Sequence, residues 1–145
     1  MTIRRMDHVG IVVEDLAAAT AFFAELGMEL EGEATVGGPW ADDLLGLDGV
    51  QADIVVVRTP DGHCRVELST FHSPTTTNAA PKAPVNTPGI LRLTFVVDKL
   101  DDVLDRLRVH GAELVGTVAQ YEDYCRYAYV RGPDGILIGL VQELH

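Results

Sequence analysis

The strongest constraint on this chain is that it repeats itself. His8-Val9-Gly10-Ile11-Val12-Val13-Glu14-Asp15-Leu16 and Arg92-Leu93-Thr94-Phe95-Val96-Val97-Asp98-Lys99-Leu100 share one pattern, an apolar strand-like run that ends in a polar pair and a leucine. The spacing that carries residue 8 onto residue 92 also carries Gly27 onto Gly111. Each glycine closes a segment with helical periodicity, so a strand and its following helix have been duplicated together. In the first copy Asp15 is placed as N-cap, with Leu16, Ala19, Phe22, Phe23 and Leu26 on one face. In the second copy Leu100, Val103, Leu104 and Leu107 form that face.

Both halves then end in a hairpin signal. Thr59-Pro60-Asp61-Gly62 and Arg131-Gly132-Pro133-Asp134-Gly135 each separate two β-rich runs, and Pro-Asp-Gly offers a preset φ followed by a residue that tolerates positive φ. Strands are expected near 6–13, 28–35, 53–58, 64–71, 90–97, 112–119, 124–130 and 135–142. The predicted fold is α+β, a βαβββ order used twice. The extra residues of the first half fall in Val36–Val50, read as an inserted loop around Gly37-Gly38-Pro39-Trp40. Residues 1–145 form one domain in this reading, with repeats at about 3–71 and 90–143. The connector 72–89 holds Pro74, Pro81, Pro84 and Pro88, which remove donors and keep it extended.

Strand alternation sorts the side chains. His8, Gly10 and Val12 share one face of the first strand, while Val9, Ile11 and Val13 face the helix. Arg92, Thr94 and Val96 are the matching polar face in the second half. After the first hairpin, Arg65, Glu67 and Ser69 oppose Cys64, Val66 and Leu68, so Glu67 can join His8. In the last strand both alternating sets, Leu137, Gly139, Val141 and Ile136, Ile138, Leu140, are apolar. Pairing Val130 with Ile136 would stand Tyr127 opposite Gly139, with Cys125 and Tyr129 on the same face. A slip of one residue would turn the tyrosines outward.

The formal charge of −11, from 22 acidic against 11 basic side chains, opposes binding to nucleic acid or to anionic membrane surfaces. No apolar run approaches the length of a membrane span, and the N-terminus lacks the apolar stretch of a signal peptide. A cytoplasmic location follows as an expectation. Cys64 and Cys125 lie far apart without CxxC spacing and are read as small buried fillers.

The segments Asp7-His8-Val9-Gly10, Phe22-Phe23-Ala24-Glu25-Leu26-Gly27, Pro60-Asp61-Gly62 with Val66-Glu67-Leu68, and Pro133-Asp134-Gly135-Ile136-Leu137-Ile138-Gly139-Leu140 together resemble the vicinal-oxygen-chelate superfamily. Its members include glyoxalase I, bleomycin-resistance proteins, methylmalonyl-CoA epimerase and extradiol dioxygenases. The resemblance covers nearly the whole chain. It implies paired modules forming a curved sheet around a ligand-binding cup, a small organic ligand and a homodimer. Metal-dependent members place a ligand on the first and last strand of each half, positions held here by His8, Glu67, Arg92 and Gly139. Of these, only His8 and Glu67 can coordinate a divalent metal, because arginine and glycine have no lone pair to offer. Ligands from His72, Glu143 or a dimer partner would have to complete such a site, since catalytic sites usually supply three protein ligands.

Two functions stay open at this stage. In the first, a glyoxalase-like enzyme performs isomerase or lyase chemistry, with His8 and Glu67 transferring a proton and Arg92 holding an anion or enolate. Arg92 could equally be a structural partner of Glu67, and His8 a hydrogen-bonded core residue. In the second, the chain binds and sequesters an antibiotic-like compound in a cup lined by Trp40, Tyr127 and Tyr129. Trp40 could also be a loop anchor. The Asp42-Asp43 and Asp101-Asp102 pairs are read as surface or helix-start acids.

Overall fold

Alternation of period two followed by period 3.6 does produce strand, then helix, in both halves. The structure, a computed structural model, describes residues 2–75 and 82–144. The middle of the expected connector, with Pro81, and the terminal His145 lie outside the described residues. The chain divides into two compact units, Met1–Asn78 and Ala79–His145.

In the first unit β1 (Val9–Val12) leads through α1 (Leu16–Leu26) to β2 (Glu29–Gly37), α2 (Pro39–Leu45), β3 (Gln51–Arg58) and β4 (Arg65–Ser73). The sheet order is β1-β4-β3-β2, with β1 parallel to β4 and the other pairs antiparallel. Helix α1 starts where expected. The Asp15 carboxylate accepts from the Ala18 N–H at 3.0 Å, and Gly27 ends the helix at φ 116°, a left-handed value that glycine adopts at least cost. Its face of Ala19, Phe22 and Phe23 is fully buried, against a sheet core that includes Val55, Val57, Val66 and Leu68. The two phenylalanine rings meet edge-on, 5.4 Å apart.

The second unit repeats the order with β5 (Arg92–Val96), α3 (Leu100–Arg108), β6 (Glu113–Leu114), β7 (Ala119–Tyr121), β8 (Cys125–Arg131) and β9 (Leu137–Glu143). Its sheet runs β5-β9-β8-β6, with β7 also on β8 and β5 parallel to β9. Leu100, Val103, Leu104 and Leu107 are the buried stripe of α3, and Leu137, Ile138 and Leu140 the buried run of β9. Lys99 gives no side-chain cap to α3. Instead Gln142 reaches from β9 to accept from the Leu100 N–H at 2.8 Å.

Several expectations are corrected. The strand expected at 112–119 is two short pieces, broken at Val115–Gly116, where the chain bends and Gly116 carries no side chain to pack. The insertion is no open loop. β2 runs on to Gly37, Pro39 opens α2, and the Asp42 carboxylate receives the N–H groups of Gly49 and Val50 at 3.0 and 2.8 Å. Asp42 is therefore the tie that closes the insertion, not a bare surface acid. Cys64 is exposed and Cys125 half-buried, so neither is a buried filler. Leu91, which strand alternation with Leu93 would put on the helix side, lies before β5 and is exposed.

The final hairpin is shifted by two residues. Val130 pairs with Ile138, not Ile136, and Gly139 stands opposite Tyr129, with Tyr127 opposite Val141. The cause is the 3-10 turn Pro133–Gly135, in which Gly132 donates to the Ile136 carbonyl and so consumes Ile136 in the turn. An even shift keeps every side chain on its face.

Candidate functional site

In the first unit β1 and β4 run side by side, which puts Gly10 next to Glu67 and leaves His8 just ahead of the strand on the same face. The His8 Nε2 lies 3.4 Å from the Glu67 carboxylate. The other ring nitrogen, Nδ1, is 2.8 Å from Asp7, whose carboxylate also meets Arg5 at 2.8 Å. The bond to His8 and the charge of Arg5 hold the Asp7 carboxyl below its usual range. One nitrogen of the imidazole is thus bonded to a carboxylate and the other faces one.

This arrangement walls an open cavity of about 740 Å³ that also takes in Arg5, Met6, Glu31, Val56, Gly62, His63 and Arg65. The volume lies within the usual range for small-molecule sites. Arg65 shares the Glu67 face by strand alternation and is locked to Glu31 at 2.7 Å, which lowers the Glu31 carboxyl. Glu31, His63 and Asp7 were not singled out from the sequence. Asp7 adjoins His8 in the chain, and that adjacency was the available signal.

Arg92, Tyr127 and Tyr129 belong to the second unit and form a cluster of their own. The Arg92 guanidinium lies over the Tyr129 ring, 5.5 Å from its centroid. The Tyr127 hydroxyl is 3.2 Å from that of Tyr129 and 3.3 Å from Thr94 Oγ1. Trp40 is 61% exposed on α2, and so does not anchor the insertion against the sheet. It does not line the cavity at His8. His72 is bound to Asp53 at 2.8 Å, where Asp53 edges a second cavity of about 880 Å³ beside the alanine-rich outer face of α1.

The family profile described as Glyoxalase/Bleomycin resistance protein/Dioxygenase superfamily matches residues 5–140. The chain belongs to this superfamily. A glyoxalase family protein from Bacillus cereus is 50% identical, with a TM-score of 0.95 over 100% of this chain and 97% of that one. Two further solved structures are more distant. TnmS3, an antibiotic binding protein from Streptomyces sp. CB03234, is 24% identical with a TM-score of 0.58, covering 99% of this chain and 98% of its own. FosX, a fosfomycin resistance protein from Listeria monocytogenes solved with Mn(II) and sulfate, is 14% identical with a TM-score of 0.63, covering 98% and 92%. At those identities the likeness shows the fold. A comparison with curated proteins finds no match.

A superfamily metal site does not fit the residues present. His8 and Glu67 supply two donors, but Arg92 carries a positive charge at the third position. At the fourth, a side chain on Gly139 would place Cβ 2.5 Å from Thr94 Oγ1 and 3.0 Å from the Tyr129 ring. Among the described residues no group of three or more His, Cys, Asp or Glu is gathered to hold a metal ion. No described helix is long and apolar enough to cross a membrane.

Proposed function

We propose that the protein is an enzyme of the isomerase or lyase kind that moves a proton on a small organic substrate, with His8 and Glu67 as the transfer pair and without the superfamily metal site. The observation that carries this reading is the His8 ring, held by Asp7 at Nδ1 and facing Glu67 through Nε2 on a cavity wall. A carboxylate at Nδ1 keeps that nitrogen protonated and sets the ring angle, so Nε2 is the nitrogen that exchanges protons. Removal of a proton from a carbon next to a carbonyl by one member, and return to a neighbouring atom by the other, needs two such groups on one wall. The polar lining favours this over sequestration of an apolar compound.

The test is solvent deuterium incorporation into pyruvate and hydroxyacetone in D2O, followed by proton NMR, together with the metal content of tag-free protein. The expected result is exchange above buffer that falls about 100-fold in both His8→Gln and Glu67→Gln, with thermal unfolding midpoints retained and metal far below one equivalent. Near-stoichiometric metal lost in both variants would overturn the reading, as would exchange that the variants leave unchanged. The homodimer implied by the resemblance belongs to the same proposal, with sedimentation equilibrium as its check.

A further inference from the structure

The helix side of the first sheet carries a cavity that proton transfer at His8 does not use. It measures about 880 Å³, within the usual range for small-molecule sites. Val56 lines the cavity at His8 and Val55 this one, so alternation along β3 puts the two on opposite faces of the sheet. A register shift between Leu30 and Gly32 does the same for β2. The extra residue leaves Glu31 on the His8 side and turns Glu33 and Thr35 toward α1, with Thr35 opposite Asp53. Ala17, Thr20, Ala21 and Ala24 of α1 form the other wall.

The duplication supplies an internal reference for this space. The spacing that carries His8 onto Arg92 also carries Ala17, Ala18, Ala21 and Ala24 onto Asp101, Asp102, Asp105 and Arg108. A helix that turns its outer face to water carries charges there, as α3 does, whereas the one charged side chain of α1 is Glu25. On the sheet, Val9 pairs with Val66 as its counterpart Leu93 pairs with Ile138. The same step along β4 and β9 reaches Thr70 and Gln142, whose partners are Asp53 and Arg126. In the second unit Arg126 donates to both carboxylate oxygens of Asp101, at 3.1 and 3.0 Å, and ties helix to sheet. In the first unit those two positions are Ala17 and Asp53, which line the open cavity instead.

Acceptor capacity remains on its floor. Asp53 takes hydrogen bonds from His72 at 2.8 Å and Thr35 at 3.2 Å, two of roughly four acceptor positions on a carboxylate. The bond from His72 holds the Asp53 carboxyl below its usual range, so it is ionised at neutral pH. Among the described residues no basic side chain pairs with Glu33. An acidic floor beside an alanine wall is the complement of a cation with an apolar body.

We infer that the space between α1 and β2–β3 is a second ligand site, for a small organic amidinium or guanidinium compound. The planar cation rests on Asp53 and Glu33, as the Arg126 guanidinium rests on Asp101 at the matching place, and the apolar body lies along Ala17, Ala21 and Ala24. The inference stands apart from proton transfer at His8, since no residue lines both cavities.

The experiment titrates full-length protein with benzamidine, using benzamide as the uncharged control at the same ionic strength, and follows 1H–15N NMR shifts. Saturable shifts at the amides of α1, β2 and β3 are expected with benzamidine and not with benzamide. Asp53→Asn weakens binding by about tenfold or more, and Glu33→Gln by less. Ala21→Leu, at an exposed helical position that accepts leucine readily, fills the cavity and abolishes binding with the unfolding midpoint retained. Absence of saturable shifts in the wild type overturns the inference, as do shifts confined to the surroundings of His8. Equal binding by benzamide, by Asp53→Asn or by Ala21→Leu overturns it too. Should Asp53→Asn fail to fold, Ala21→Leu alone decides the matter.

Discussion

At the scale of single residues, chemistry here depends on neighbours that sequence spacing does not advertise. Asp7 bonds both His8 and Arg5, and so fixes which imidazole nitrogen faces Glu67. Asp7→Asn is expected to cut the exchange rate while leaving substrate affinity nearly unchanged. Steady-state kcat and KM of the variant check this; an unchanged kcat would make Asp7 merely structural. Gly37 shows the steric side of the same dependence. A Cβ there would lie 2.9 Å from the Val50 carbonyl oxygen, a backbone atom that cannot swing aside. Gly37→Ala should destabilise by about 1–3 kcal/mol in urea unfolding.

Among the elements, α1 and α3 satisfy their first turns with different caps. α1 uses its own Asp15, so Asp15→Ala should cost about 1 kcal/mol. α3 borrows Gln142 from β9, and Gln142→Ala should cost about 0.5–1.5 kcal/mol even though residue 142 lies outside the helix. Chemical denaturation of both variants distinguishes a borrowed cap from none. Phe22 and Phe23 tie α1 to its sheet, and both are fully buried. Phe22→Ala is expected to lose about 3–5 kcal/mol by the same measurement. These apolar faces and the Asp15 cap were legible in the chain, since each follows from local periodicity. The Gln142 cap was not, because it joins residues that only the β5–β9 pairing brings together.

Across the whole molecule, charge sets the response to acid. Hydrogen bonds to His8, Arg65, His72, Thr59 and Arg126 hold the carboxyls of Asp7, Glu31, Asp53, Asp61 and Asp101 below their usual range. A carboxyl whose folded value is depressed stabilises the fold fully above its unfolded value. That contribution disappears as pH falls through the folded one. Thermal unfolding midpoints should therefore hold level on acidification to about pH 5 and drop below about pH 4. Added salt should shrink the drop, because all five groups are solvent-accessible and screened. Midpoints that rise below pH 4 would show instead that relief of repulsion among the 22 acidic side chains dominates.

The sequence by itself determined the duplicated strand–helix order, the buried faces of α1 and α3 and the residues that share a side of their own strand with His8 and with Glu67. Each of these follows from periodicity or from strand alternation, which are properties of neighbouring residues. Tertiary structure alone decided the register of the last hairpin. The turn at Pro133–Gly135 absorbs Ile136 and sets Tyr129, not Tyr127, opposite Gly139. It also decided that the insertion coils into α2 under the tie from Asp42, and that Trp40 is left exposed. Strand pairing acts between residues distant in the chain and turn geometry through backbone dihedrals, and a period read along the chain carries no record of either.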